Sequence, residues 1–169
     1  MIFDHGGRHM NTISHPFPPV VDAHCRTLIL GSFPSVKSRE QGFFYGHPQN
    51  RFWKMLAAVY HEPVPCTIPE KQSMLLRHHI ALWDVIASCE ITGSSDASIR
   101  NAMPVDIERI TEAAPIEHFI CNGALAGKLY RKHLMPLVGM EPLILPSTSP
   151  ANAAWSLERL VQAWRIGLL

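Results

Sequence analysis

Four short apolar runs, set apart by stretches of helical period, constrain the fold of this chain more than any other feature. Arg26-Thr27-Leu28-Ile29-Leu30 closes on Gly31, and Ile80 to Ile86 is apolar except at Asp84. His118-Phe119-Ile120-Cys121 stops at Asn122-Gly123, and Pro142-Leu143-Ile144-Leu145 runs into Pro146. Continuous runs of this length read as strands buried on both faces, the form that parallel strands take. Between them, Phe52, Met55, Leu56 and Val59 recur at i, i+3, i+4 and i+7, which predicts a helix from Arg51. Further helices are expected over 70–79 behind Pro69, over 105–114, over 124–134 and over 153–168. Strands alternating with helices argue for an α/β fold, with a parallel sheet covered on both faces.

The chain has 169 residues, 47% of them hydrophobic and 17% charged, enough for one domain with a continuous core and no need of metals or disulfides. Residues 1–24 carry four histidines, two glycines and three prolines without apolar periodicity, and are expected to form an irregular lead-in to a single domain over 25–169. Cys25, Cys66, Cys89 and Cys121 form no CxxC pair and read as reduced thiols, mostly in the core. No run is long enough to span a membrane and no signal pattern opens the chain, so a cytoplasmic protein is expected. Net charge is only +1, which by itself gives no support to nucleic-acid binding. Two basic clusters, Lys37, Arg39, Arg51 and Lys54, and then Arg131, Lys132 and His133, could meet phosphates or simply be solvated.

In a parallel sheet, ligands bind beyond the carboxyl ends of the strands, which singles out the loops 31–50, 122–123 and 146–152. The first reads GSFPSVKSREQGFFYGHPQN. Gly31 permits close backbone approach and Pro34 stiffens the turn, leaving the amides of Ser32, Phe33 and Ser35 to donate; the same pattern also serves as a plain structural turn. Phe43, Phe44 and Tyr45 in a loop are difficult to explain as core and offer a flat surface on which a base could stack. Asn50, directly before a helix, has the makings of an N-cap.

LILGSFPS followed by FFYGHPQNRFWKML resembles the first signature of the uracil-DNA glycosylase superfamily, most closely its hypoxanthine-DNA glycosylase branch, and LPSTSPAN looks like the second, the loop that enters the minor groove. The resemblance spans about residues 26 to 165. It implies a three-layer α/β/α sandwich with a central, mainly four-stranded parallel sheet, acting as a monomer on DNA that contains a deaminated base. Such an enzyme flips the base and hydrolyses its N-glycosidic bond without metal, cofactor or covalent intermediate.

The third residue of the first signature, a polar Asp or Asn in most branches, is here Phe33, and the leading His or Asn of the second is Leu145. Both usual polar groups are missing. Asn50 becomes the candidate catalytic residue, its amide oxygen accepting a hydrogen of the attacking water. The resemblance assigns base binding to Gly31, Ser32, Phe33, Pro34, Ser35, His47 and Asn122, with Tyr45 as the stacking ring and Phe44 as the alternative. Ser147, Thr148, Ser149 and Asn152 suit DNA phosphates, and Pro150 a wedge at the gap left by the flipped base. Asn122-Gly123 is equally an ordinary turn. Asp84 reads as structural, Ser94, Ser95 and Asp96 as a turn supporting the site, and His78-His79 as a helix end that needs no ligand. Hypoxanthine is the favoured substrate and uracil the runner-up. A lesion-binding protein without catalysis competes with the enzyme, whereas a Ser or Cys hydrolase lacks its G-x-S-x-G elbow.

Overall fold

The computed structural model describes residues 2–3, 9–10, 12–91 and 99–169. Strand β1 (Ile2–Phe3) pairs antiparallel with β2 (His9–Met10), and β3 (Thr12–Ser14) follows. The chain then runs β4 (Thr27–Gly31), α1 (Val36–Gln41), α2 (Phe52–Val59), α3 (Ile68–Arg77), β5 (Ile80–Asp84), β6 (Ile86–Glu90) and β7 (Arg100–Pro104). It closes with α4 (Glu108–Ala113), β8 (His118–Asn122), α5 (Ala124–His133), α6 (Met135–Val138), β9 (Leu143–Leu145) and α7 (Leu157–Leu168).

The expected four-stranded parallel sheet is present in the order β5-β4-β8-β9, every pair parallel. Its inner strands read as continuous apolar runs because both faces are covered. Two glycines identify what covers them. A Cβ on Gly127 of α5 would collide with the Ile144 side chain, and one on Gly167 of α7 would stand 2.9 Å from Leu145 and 3.0 Å from Leu143. Successive strand residues point to opposite faces, so α5 and α7 lie on opposite sides of β9. Helix α2 joins α7, with the Phe52 and Trp164 rings 6.1 Å apart. This is the three-layer sandwich.

Four expectations need correction. The run Ile80 to Ile86 is two strands: after Asp84 the chain leaves the parallel sheet, and β6 joins β3 and β7 in a separate antiparallel sheet. Hydrophobicity hides the change because both strands are largely buried. Residues 12–20, expected to be irregular, are in part structured. Thr12–Ser14 pair with Ser88–Glu90, Val20 bridges to Leu82, and Phe17 is buried. Loop 31–50 contains α1, where the Ser35 hydroxyl caps the Ser38 amide at 3.2 Å and Gly42 ends the helix at φ 75°. Helix α7 begins at Leu157 rather than at residue 153, because extended Ser156 caps the Arg159 amide. Ser94, Ser95 and Asp96 lie outside the described residues.

Helix α3 starts slightly earlier than expected, with Thr67 accepting from the Glu70 amide and the Glu70 carboxylate accepting from that of Cys66. Three of the cysteines are buried and Cys66 is exposed. Burial pushes the Cys121 thiol up to about 12 and that of Cys25 to about 11, the opposite of an activated nucleophile. No helix among the described residues is long and apolar enough to cross a membrane.

Candidate active site

At the carboxyl end of the parallel sheet lies a pocket of about 730 Å³, walled by the loops after β4, β8 and β9. Such dimensions lie within the range of small-molecule sites. Gly31, Ser32, Phe33, Pro34, Ser35, Phe44, Tyr45, Asn50, Asn122, Ser147, Thr148, Ser149 and Asn152 all line it, so the three loops singled out by strand order do converge. His47 and Pro150 do not. The His47 ring accepts from the Gln49 amide at 3.0 Å, and Pro150 is half-buried in the turn beyond Ser149.

The aromatics divide sharply. Phe43 and Phe44 belong to the core, Phe44 standing edge-on to Phe17 at 4.7 Å and to Phe43 at 5.4 Å. At 2% exposure Phe44 cannot offer a face to a base, which removes it as the alternative platform. Tyr45 is different. Its backbone is left-handed at φ 54°, its ring is stacked on Phe52 at 4.3 Å, and the half-buried residue lines the pocket. Its hydroxyl is buried and has no hydrogen-bond partner within bonding geometry among the described residues. Burial, and then the Asp84 carboxylate, push this phenol well above its ordinary range, while the neighbouring Asn122 amide pulls the other way.

A relay of hydrogen bonds crosses the site. The Asn122 side chain donates to the Thr148 hydroxyl and accepts from the Thr148 amide, both at 3.0 Å. The Thr148 hydroxyl in turn donates to Asn50 Oδ1 at 3.0 Å. Thr148 is wholly buried, so it cannot meet a phosphate as expected; it couples the second loop to the other two. Asn50 Oδ1 also accepts from the Phe52 amide at 2.9 Å. Asn50 thus caps α2 and faces the pocket together. Two donors fill the lone pairs of that oxygen, so the role foreseen for it, accepting a water hydrogen, has no vacant site. Nδ2 has no hydrogen-bond partner among the described residues.

The second loop is rigid for a reason invisible in the sequence. The Arg51 guanidinium donates to the carbonyls of Ser149 and Asn152, each at 3.0 Å, and to that of Trp155. It is a strut between loops and not a phosphate ligand. Asn152 Nδ2 donates to the Ser147 carbonyl at 3.0 Å, holding the same loop, and Trp164 Nε1 anchors its start through Pro146. Gly123, at φ 99°, lets the loops touch, since a Cβ there would stand 2.9 Å from that of Ser147. The Ser147 and Ser149 hydroxyls accept from the amides two residues on and remain partly exposed, still able to donate to DNA. In the first loop, the Ser32, Phe33 and Ser35 amides donate to no described residue.

Sequence reasoning undervalued two residues. Asp84, read as structural, lines the pocket at the end of β5, and its Oδ2 meets His15 Nε2 at 2.7 Å. Asp84 is 3% exposed and the His15 side chain 6%. The signal available for Asp84 was its place beside Gly31 at the ligand-binding end of the sheet. Nothing marked His15, which arrives from the segment expected to be irregular. Among the described residues, no group of three or more His, Cys, Asp or Glu side chains is arranged to hold a metal ion.

The family model for the uracil DNA glycosylase superfamily matches residues 18–166. The chain belongs to that superfamily. Among curated proteins, a hypoxanthine DNA glycosylase of Methanosarcina acetivorans is 36% identical over 149 residues, covering 87% of this chain and 93% of its own. One of Methanosarcina barkeri is 31% identical over 150 residues, 88% and 93% of the two chains. Among solved structures, the solution NMR structure of a candidate uracil DNA glycosylase from Methanosarcina acetivorans superposes with a TM-score of 0.77. The two are 32% identical, over 90% of this chain and 94% of that one. In this superfamily member the pocket, the second loop and the sheet end fall inside the matched region.

Proposed function

We propose that this glycosylase-superfamily chain is a monofunctional DNA glycosylase that flips a deaminated base, hypoxanthine in preference to uracil, and hydrolyses its N-glycosidic bond. The observation that carries the reading is Tyr45, a ring backed by Phe52 in a pocket that the Asn50 and Asn122 carboxamides and the Asp84 carboxylate also line. Base stacking on such a ring is worth about 1–3 kcal/mol. The printed names of the two Methanosarcina relatives support hypoxanthine. The site is complete within one chain, which supports a monomer acting on DNA, and a cytoplasmic location goes with that reading.

In the reaction, the bond between C1′ and the base nitrogen breaks and its electron pair leaves with the base. Water adds hydroxide to C1′ and its proton passes to the departing base. The amides of Ser32 and Phe33, which donate to no described residue, stabilise the negative charge that gathers on the base, and Asn122 offers its second Nδ2 hydrogen to the base edge. Asn50 Nδ2 donates to the water oxygen through one lone pair, leaving the other to attack C1′. An amide cannot deprotonate water, so Asn50 orients the nucleophile while stacking and leaving-group stabilisation supply the rate. Ser147 and Ser149 contact the phosphates, and Pro150 is the wedge.

Single-turnover excision on duplexes carrying hypoxanthine, uracil, xanthine or normal bases tests the reading, with hypoxanthine expected to be removed fastest. Asn50→Ala should slow that step by roughly two to three orders of magnitude, as loss of a positioned catalytic donor does. Excision of normal adenine as readily as hypoxanthine refutes the substrate, and an unchanged rate in N50A removes Asn50 from the mechanism. The occupied lone pairs of Asn50 Oδ1 keep one second reading in view, a lesion-binding protein. It predicts a gel shift with deoxyinosine DNA and no abasic product.

A further inference from the structure

We propose that the Asp84 carboxylate, oriented by His15, is the acceptor that reads the ring N–H of the flipped base and so separates 6-oxopurines from adenine. This rests on the glycosylase reading above and adds the group that selects the base.

Four observations converge on it. Among the described residues lining the pocket, Asp84 is the one charged side chain, and it is buried. One of its oxygens is taken: Oδ2 meets His15 Nε2 at 2.7 Å. The other, Oδ1, stands over Gly31, since a Cβ on that glycine would collide with it. The same Cβ would lie 2.9 Å from the Tyr45 hydroxyl oxygen, which is buried and has no hydrogen-bond partner among the described residues. The missing side chain of Gly31 therefore leaves the room that the carboxylate and the end of the Tyr45 ring occupy over a single backbone position. Asn122, on the far side of Gly31 at the end of β8, adds a carboxamide fixed by Thr148.

An acceptor beside a donor matches one base edge. Hypoxanthine, xanthine and uracil each present a ring N–H next to a carbonyl, so the hydrogen meets Asp84 Oδ1 and the carbonyl accepts the second Nδ2 hydrogen of Asn122, while the Tyr45 ring stacks on the base. Adenine has a bare lone pair at N1, which would face the carboxylate in the same pose, a contact that costs free energy in a buried site. Guanine carries the same N–H and carbonyl, so this carboxylate does not separate it from hypoxanthine. The aromatic surround of His15 keeps the pair in place: its ring stands edge-on to Phe17 at 4.6 Å and to Phe33 at 6.1 Å. Phe33, in the position where a polar residue was expected, packs against the positioning histidine.

The experiment compares single-turnover excision of hypoxanthine with that of adenine and of unsubstituted purine, a base that keeps N1 without its hydrogen. In Asp84→Asn, the His15 donor holds the amide oxygen, so the pocket-facing atom becomes Nδ2 and the acceptor becomes a donor. The hypoxanthine-to-purine ratio is expected to fall roughly 10-fold to 100-fold, the worth of one buried unsatisfied hydrogen bond. Binding of a duplex carrying an abasic analogue, which has no base to read, should be unchanged and reports that the variant is folded. His15→Ala should lower the same ratio and His15→Gln, which restores a donor, should recover it; this pair carries the test if D84N fails to fold. A ratio that stays constant while excision of both bases falls together overturns the proposal, because it assigns Asp84 to structure or to the sugar. A wild-type chain that excises no deaminated base defeats the glycosylase reading and this proposal with it. A wild-type chain that excises hypoxanthine, with unaltered ratios in the variants, defeats this proposal alone.

Discussion

Thr148→Val is the sharpest probe of how the site is held together. Valine has the shape of threonine and fills the same buried space, so packing is preserved and only the hydroxyl goes. That hydroxyl accepts from Asn122 Nδ2 and donates to Asn50 Oδ1, each at 3.0 Å. Its loss leaves one amide hydrogen without an acceptor and Asn50 Oδ1 with only the Phe52 amide. An unsatisfied buried group costs about 1–3 kcal/mol; both asparagines are half-buried and partly reachable by water, so about 2 kcal/mol is expected. For a chain of this size that lowers Tm by about 4–8 °C. The larger effect is on chemistry, because Asn50 loses one of its two fixed contacts. Single-turnover excision should fall roughly 10-fold to 100-fold, as for a misplaced positioning group. Thr148→Ser keeps the hydroxyl and loses only a methyl group worth about 1 kcal/mol, so it should excise at close to the wild-type rate. Equal excision rates in T148V and T148S would show that the relay does not orient Asn50.

Two further predictions follow from the geometry. Arg51→Ala removes the guanidinium that ties the carbonyls of Ser149, Asn152 and Trp155, so amide exchange over 147–155 should accelerate and DNA binding weaken; Arg51→Lys should rescue little, because one ammonium does not span the three carbonyls. Unchanged exchange in R51A would refute the strut. Burial pushes the phenols of Tyr60 and Tyr130 up to about 12 from 10.0, and that of Tyr45 up as well. The folded chain thus favours the protonated phenols, so their stability contribution is intact below pH 10.0 and is lost as pH rises from there through about 12. Urea midpoints should fall across that window, and a flat profile would contradict the burial of these rings.

What was legible in the sequence has a common physical cause. Parallel strands covered on both faces and helices with one apolar stripe write their periods directly into the residue order. β4, β5, β8 and β9 were accordingly visible, as was the end of the sheet where ligands gather. Gly31, Tyr45, Asn50 and Asn122 were identifiable because they stand at the carboxyl ends of those strands or in the loop that follows. The end of β5 was not, since a switch from one sheet to another leaves no mark when both strands are largely buried. Helix α1 escaped because VKSREQ is too short and polar to show a stripe.

By itself, then, the chain of residues determined the layers, the order of elements and the family signature in the Gly31–Trp53 segment, all properties of local pattern. Partnerships were decided only by tertiary structure. Phe44 is core and Tyr45 is platform, although they are adjacent, because the backbone turns left-handed at Tyr45 and sends the two rings to different places. Thr148 and Asn50 are 98 positions apart, and His15 and Asp84 are 69. No local pattern encodes contacts at that range: the spare lone pair that Asn50 lacks and the oxygen that Asp84 keeps free depend on which donors the fold brings within 3.0 Å.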